Sequence, residues 1–364
     1  MSASEIIIYI MAAFMVLGAL DRIFGSRFGL GKEFENGILA MGSLAMAMLG
    51  IISLAPVLAK VLNPVLVPVY SFLGADPAMF AGSILANDMG GATLAAELAG
   101  SEAAGLFGGT IVAAMLGVTI VFTIPVALGI LTPEDRPYLA RGVLAGVVTI
   151  PLGAFVGGIC AGFPVVFVLK NLIPIALFAL LIALGLWLKE SAMIKGFTVF
   201  GKIVVGVITV GLAAAIIEAL TGFAVIPGMA PITDGFQTVG QIAIVLAGAL
   251  PLVYVITRVF RKPLMKLGSL LGMNDVAAAG MVASLANSIP MLHMIRDMDD
   301  RGKVLNIAFA VSASFVFGDH LGFTAGFSPQ MLVPMIAGKL TGGVTAVLAA
   351  LLMNRRKKPL PEAE

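Results

Sequence analysis

The stretch SILANDMGGATLA (83–95) sets Asn87 and Asp88 inside a run that is otherwise small or apolar. A second stretch, SLANSIP (284–290), places Asn287 and Ser288 in similar company. Whether these two polar, glycine- or proline-marked segments cross a membrane or turn back inside it decides the fold. Irregular backbone at membrane depth survives only when buried in protein or facing a watery cavity.

That there is a membrane follows from composition. Hydrophobic residues make up 60% of the 364 positions and charged residues 12%, against about 25% charged in soluble domains. Mean hydropathy is +1.08. Uncharged runs cover 37–59, 103–133, 142–169, 171–188 and 235–257, and a crossing helix needs roughly 20 apolar residues. Helices are expected at about 5–24, 37–60, 103–131, 137–158, 165–188, 195–220, 238–260, 303–325 and 331–353. The N-terminus has no basic start and reads as a first transmembrane helix rather than a signal peptide. The net charge is +2 and the basic residues lie mainly in short loops and the tail, so nucleic acid is not a partner.

The chain repeats itself. NPVLVPVYSFLGADPAMFAGSILAN (63–87) runs beside RKPLMKLGSLLGMNDVAAAGMVASLAN (261–287), pairing Pro64 with Pro263, Gly82 with Gly280 and Asn87 with Asn287. TPEDRPYLARGVLAGVVT (132–149) runs beside SPQMLVPMIAGKLTGGVT (328–345), at the same spacing of about 200 residues. Lys- and Arg-rich short loops stay cytoplasmic. If 77–98 and 275–296 are re-entrant hairpins, every basic loop (22–32, 136–141, 189–202, 258–266, 296–303) falls on one side. The N-terminus is then outside and the C-terminus inside. The alternative is eleven ordinary crossings. The expected fold is therefore an all-α polytopic membrane protein of about nine transmembrane helices plus two re-entrant hairpins. Residues 1–164 form a first repeat, 165–194 a linking helix, 195–354 a second, inverted repeat and 355–364 a polar cytoplasmic tail. Inverted repeats meeting at broken elements near the midplane are an architecture of secondary transporters.

The chemistry sits in few places. After each hairpin comes a helix with an expected break, GVTIVFTIP (117–125) and FGDHLGFTAG (317–326). An acid at a helix centre costs roughly 2.5–3.5 kcal/mol to insert, so Asp319 needs a partner or a function. Three partners are open to it: a cationic ligand, Lys339 as counter-ion, or a proton relay through His320, which titrates near neutral pH. Asp88, Asn87, Asn287, Ser288, Thr119 and Thr123 complete the candidate substrate-binding set. The two asparagines could equally cap half-helices. With two histidines and one cysteine there is no metal constellation, and no cofactor is called for. No phosphate loop or G-x-S-x-G elbow is present, and no nucleophile–base pair marks an enzyme.

Several long segments carry a family likeness: EIIIYIMAAFMVLGALDRI (5–23), FENGILAMGSLAMAMLGIISLAPVLA (34–59), PAMFAGSILANDMGGATLAAELAG (77–100), TIVFTIPVALGI (119–130), AAAGMVASLANSIPM (277–291) and FAVSASFVFGDHLGF (309–323). Together they resemble the ethanolamine permeases of the ethanolamine-utilisation system, from about residue 5 to 350. ICAGFPVVFVLKN (159–171) is shorter than the polar loop associated with that family. The resemblance implies a bacterial cytoplasmic-membrane protein that admits ethanolamine. An alkylammonium, protonated as lysine is with a pKa of about 10.4, calls for a carboxylate plus neutral donors and acceptors. Asp88 and Asp319 supply charge; Asn87, Asn287, Ser288, Thr119 and His320 are placed to read the hydroxyl. The hairpin–broken-helix order is also similar to the elevator architecture of concentrative nucleoside transporters. That likeness implies a mobile block, a static scaffold and a homo-oligomer, dimer or trimer, in the bilayer. Two other functions stand beside facilitated ethanolamine transport: ion-coupled uptake of an amine or nucleoside-like solute, and a non-transporting sensor or scaffold.

Overall fold

The computed structural model describes residues 2–354, so the tail 355–364 lies outside the described residues. The described chain is helical throughout: α1 Ala3–Ile23, α2 Leu30–Phe72, α3 Ala78–Ile84, α4 Gly91–Leu98, α5 Glu102–Ile130, α6 Arg136–Val147 and α7 Ile150–Cys160. After these come α8 Val165–Thr221, α9 Ile232–Leu270, α10 Asp275–Ala286, α11 Ser288–Met294, α12 Asp300–Ala313, α13 Asp319–Phe327 and α14 Leu332–Asn354. The element order of the first half recurs in the second. In both, a long proline-bearing helix (α2, with Pro64; α9, with Pro263) is followed by two short helices around a break.

Seven helical stretches among the described residues are long and apolar enough to cross a membrane, and the chain is a multi-pass membrane protein. These seven differ from the expected nine in two places. Residues 165–188 and 195–220 lie, as expected, on two helices, which meet at a kink at Lys189 (φ −145°, ψ 61°) within the 57-residue stretch α8. The stretch around 303–325 carries the expected interruption, between α12 and α13, which leaves two short helices there.

Each pair of short helices ends where it began. The Asp76 carboxylate accepts from Ala78 N at 2.9 Å, at the start of α3, and from Gly100 N at 3.0 Å, past the end of α4. In the second pair, Asp299 accepts from Asn274 N at 2.8 Å, just before α10, and from Gly302 N at 3.2 Å at the head of α12. These charge-assisted bonds satisfy helix-terminal N–H groups that have no intrahelical partner.

The break expected at 117–125 is absent. Through this stretch α5 keeps right-handed helical angles, for example Val118 (φ −61°, ψ −34°) and Thr123 (φ −60°, ψ −48°). It winds as a π-helix over Phe107–Gly117 and Thr119–Thr123 instead. Pro125 offers no N–H to an upstream carbonyl, and the wider turns absorb the defect. In the second half the chain does break. Phe315 takes φ +63°, an outlier for a bulky residue. Phe315 N and Phe317 N donate to Ser284 O (3.0 Å) and Leu285 O (2.9 Å) at the end of α10. The opened segment is thus held by the neighbouring pair of short helices.

Glycine makes both junctions possible. A Cβ on Gly117 would lie 1.9 Å from Leu85 O, and one on Gly318 would lie 1.9 Å from Ala286 O. Main chain meets main chain at the corresponding point of each half.

Around these junctions α2 packs along α9, α1 against α9, and α2 against α8. The small-residue helices α6, α7, α12 and α14 form the other side of the body. Lys303 of α12 reaches Asp135, ahead of α6, at 2.7 Å, with both side chains largely buried.

Candidate substrate site

Asp88 is carried by the single 3₁₀ turn Asn87–Met89 between α3 and α4, which Gly90 closes at φ +84°. Asp319 and His320 open α13 immediately after the break. These two irregular points face one cavity of about 200 Å³. Val118 and Phe122 of α5, Phe315 of the break, Met89, and Ala40, Ser43, Leu44 and Ala47 of α2 complete its lining.

His320 Nε2 lies 3.9 Å from Asp88 Oδ1, too long for a direct hydrogen bond. His320 Nδ1 has no protein partner. The Phe122 and Phe315 rings meet edge to face at 5.6 Å, and Phe315 lies 5.3 Å from the His320 ring. Two carboxylates therefore stand beside an aromatic corner. The carboxylates attract a small cation and the ring faces add cation–π attraction. Ser43 is exposed and marks the mouth. Its hydroxyl donates to Ala40 O at 2.9 Å.

Of the residues singled out from sequence, Asp88, Asp319 and His320 come together on the cavity wall. The others do not line it. Thr119 is fully buried, and its one proton serves the carbonyl of Met115 (2.7 Å) or Val311 (2.9 Å). Asn287 Oδ1 accepts from Ile289 N at 2.8 Å and caps α11, the capping role left open above. Asn87, Thr123 and Ser288 are buried beneath the wall, their side-chain polar atoms without a protein partner. Lys339 is wholly buried and donates to Ala114 O of α5, not to Asp319. Sequence reading missed Ser43 and the cavity roles of Phe122 and Phe315. Phe122 lies in the stretch 117–125 and Phe315 just ahead of the stretch 317–326, both singled out for other residues, and only the fold turns the rings inward.

The profile of the family described as "Ethanolamine utilisation protein, EutH" matches residues 3–353. The chain belongs to the EutH family. It is 64% identical to the "Probable ethanolamine permease EutH" of Listeria monocytogenes, over 98% of this chain and 95% of that protein. It is 51% identical to the proteins of that name from Salmonella typhimurium and Escherichia coli, over 97% of this chain and 96% of each relative. The alignment with these two EutH proteins spans 391 positions, more than the 364 residues here, so they carry insertions that this member lacks. No solved structure matches the chain.

Proposed function

We propose that the chain is an ethanolamine permease of a bacterial cytoplasmic membrane, carrying the protonated amine down its gradient by alternating access. The cavity carries this reading. Asp88 and Asp319 supply negative charge, Phe122 and Phe315 supply ring faces for an ammonium, and His320 and Ser43 supply hydrogen-bonding groups for a hydroxyl. Ethanolamine has four non-hydrogen atoms. At about 30 Å³ per water, the space accommodates it with a few waters. The names given to the Listeria, Salmonella and E. coli relatives point to the same cargo.

We read α3–α4 and α10–α11 as re-entrant hairpins, because Asp76 and Asp299 tie the two ends of each pair together. The Lys303–Asp135 contact supports placing loops 132–141 and 296–303 on one side, as hairpins require and eleven crossings would forbid. On this reading residues 1–164 and 195–354 are inverted repeats joined by 165–194. The N-terminus is outside and the C-terminus inside. The hairpins with α5, α12 and α13 form a block that moves against α1, α2, α8 and α9 in an oligomeric, elevator-type scaffold.

Purified protein in proteoliposomes tests the reading. Labelled ethanolamine should equilibrate across the membrane, faster than into empty liposomes, and stop at the external concentration. Flux equal to that of empty liposomes refutes it. The adjacency of His320 and Asp88 favours one rival, proton-coupled uptake. Accumulation driven by an imposed proton gradient would establish that rival in place of facilitation.

A further inference from the structure

A second cavity, of about 380 Å³, shares no residue with the first. It lies between α9 (Ile256, Thr257), α10 (Val282, Leu285) and α14 (Leu340, Val344). Thr257 is its one hydroxyl, and that group donates to Val253 O (2.9 Å) or Tyr254 O (3.1 Å) of its own helix. Val344 is 54% exposed on a helix long and apolar enough to cross the membrane, so the cavity is a groove that faces the bilayer. From Ala278 to Leu285 its wall on α10 covers about 10 Å, most of the roughly 15 Å of one hydrocarbon leaflet.

The two ends of the groove differ. At the deep end Phe317 and Leu285 line it, and Phe317 N donates to Leu285 O at 2.9 Å. Phe315, two residues earlier, lines the substrate cavity instead. The break between α12 and α13 is thus a partition with a cavity on either side. At the other end stands Met273, and the charges around it are positive. Residues 235–274 hold Arg258, Arg261, Lys262 and Lys266 and no acid, all at or just past the end of the apolar span Ile232–Val259. Arg301 comes to the same end from α12: a Cβ on Gly272, next to Met273, would lie 3.4 Å from its guanidinium. Among the described residues, Arg258, Lys262, Lys266 and Arg301 make no ion pair. The Arg258 guanidinium lies over the Tyr254 ring, 4.3 Å from its centre.

We propose that this groove binds an anionic phospholipid. One acyl chain lies along α10 as far as the break, and the phosphate meets the cationic end of α9 and Arg301. Apolar walls facing a gap forfeit dispersion contacts, and the medium beside these walls supplies acyl chains. Lys and Arg clustered at the end of a membrane span attract anionic headgroups, each adding to the pull. The chain packs on Phe317 and so supports the break from the side opposite the substrate cavity. The site stands whether or not ethanolamine is the cargo.

The test is native mass spectrometry of the full chain in mild detergent, titrated with phosphatidylglycerol or with phosphatidylcholine of the same chains. The wild type should retain phosphatidylglycerol with about tenfold preference, the ratio expected when a few cationic side chains each add a modest attraction. Val344→Trp plugs the groove from its exposed edge and should lower retention of both lipids by about tenfold. Leu340→Trp serves in its place should that protein fail to assemble. The variant K262Q/K266Q/R301Q should still retain phosphatidylcholine but lose about threefold or more of the preference. Glycerophosphoglycerol, the headgroup without chains, should not displace the lipid. Equal retention of the two lipids by the wild type, or wild-type retention in the tryptophan variants, overturns the proposal. So does an unchanged preference in the charge variant. Displacement by glycerophosphoglycerol would make this a phosphate site, and a tryptophan variant that splits an oligomer without losing lipid would make the groove a contact between copies; either result also overturns it.

Discussion

Asp88 and His320 lie on elements far apart in the chain, yet Oδ1 of one sits 3.9 Å from Nε2 of the other. One belongs to the turn between two short helices, the other to a helix that starts at a break. Neither half of the chain makes a site alone. The cavity exists where the irregular point of one half meets the irregular point of the other.

Asp88→Asn and Asp319→Asn should each lower ethanolamine flux by at least about tenfold, since each removes a charge from a poorly screened cavity. Amount and monodispersity of the purified protein should stay near wild type, because neither change alters side-chain volume. Initial uptake rates normalised to protein content check this. Wild-type flux in Asp319→Asn would make that acid structural.

Phe122→Leu should weaken half-saturation by roughly 2- to 30-fold with little change in maximal rate, the loss of about 0.5–2 kcal/mol of cation–π attraction. A saturation curve separates the two parameters. A fall in maximal rate alone would place Phe122 in the conformational step rather than in binding.

Gly117→Ala and Gly318→Ala should each cost about 1–3 kcal/mol or more, because the added methyl meets a carbonyl oxygen that cannot retreat. Gly129→Ala, whose Cβ would meet nothing within 4 Å, is the control. Thermal unfolding in detergent should show lower midpoints for the first two only.

Single cysteines at Ser71 and Glu102, in a Cys160→Ala background, should react with a membrane-impermeant maleimide from one side of the membrane. Cysteines at Ser269 and Asp300 should react only from the other side. Opposite-sided labelling within either pair would mean that α3–α4 or α10–α11 crosses completely.

Lys303→Met should destabilise the protein by about 3–5 kcal/mol, because it strands the buried Asp135 carboxylate. The double variant D135N/K303M should recover much of that loss. Unfolding midpoints of the two variants make the comparison.

The acids and the imidazole were legible because a charge in an apolar run is costly and therefore rare. That argument finds Asp88, Asp319 and His320, and it says nothing about Phe122, Phe315 or Ser43. Leaflets of apolar helix contain many such residues, and only the fold decides which ring turns inward. Thr119 and Asn287 show the opposite failure. Their side chains were free to meet a substrate until the backbone claimed them, Thr119 for a carbonyl and Asn287 for the N-cap of α11. The proline and threonines of 117–125 signalled an interruption, but π-winding is a second remedy for a missing N–H, and residue types do not distinguish the two. The paired short helices were visible because clustered polar residues with glycine or proline mark irregular backbone, which cannot sit against lipid.

The contacts of Gly117 with Leu85 O and of Gly318 with Ala286 O involve no side chain that evolution could exchange. Any larger residue there collides with peptide backbone, so this part of the molecule has no room to drift. The opposite wall is different: α2 presents Ala40, Ser43 and Ala47, small residues that could grow without disturbing a junction. Selection for another cargo would have its freest hand on that helix. Descendants with new appetites should keep the glycines and rewrite α2.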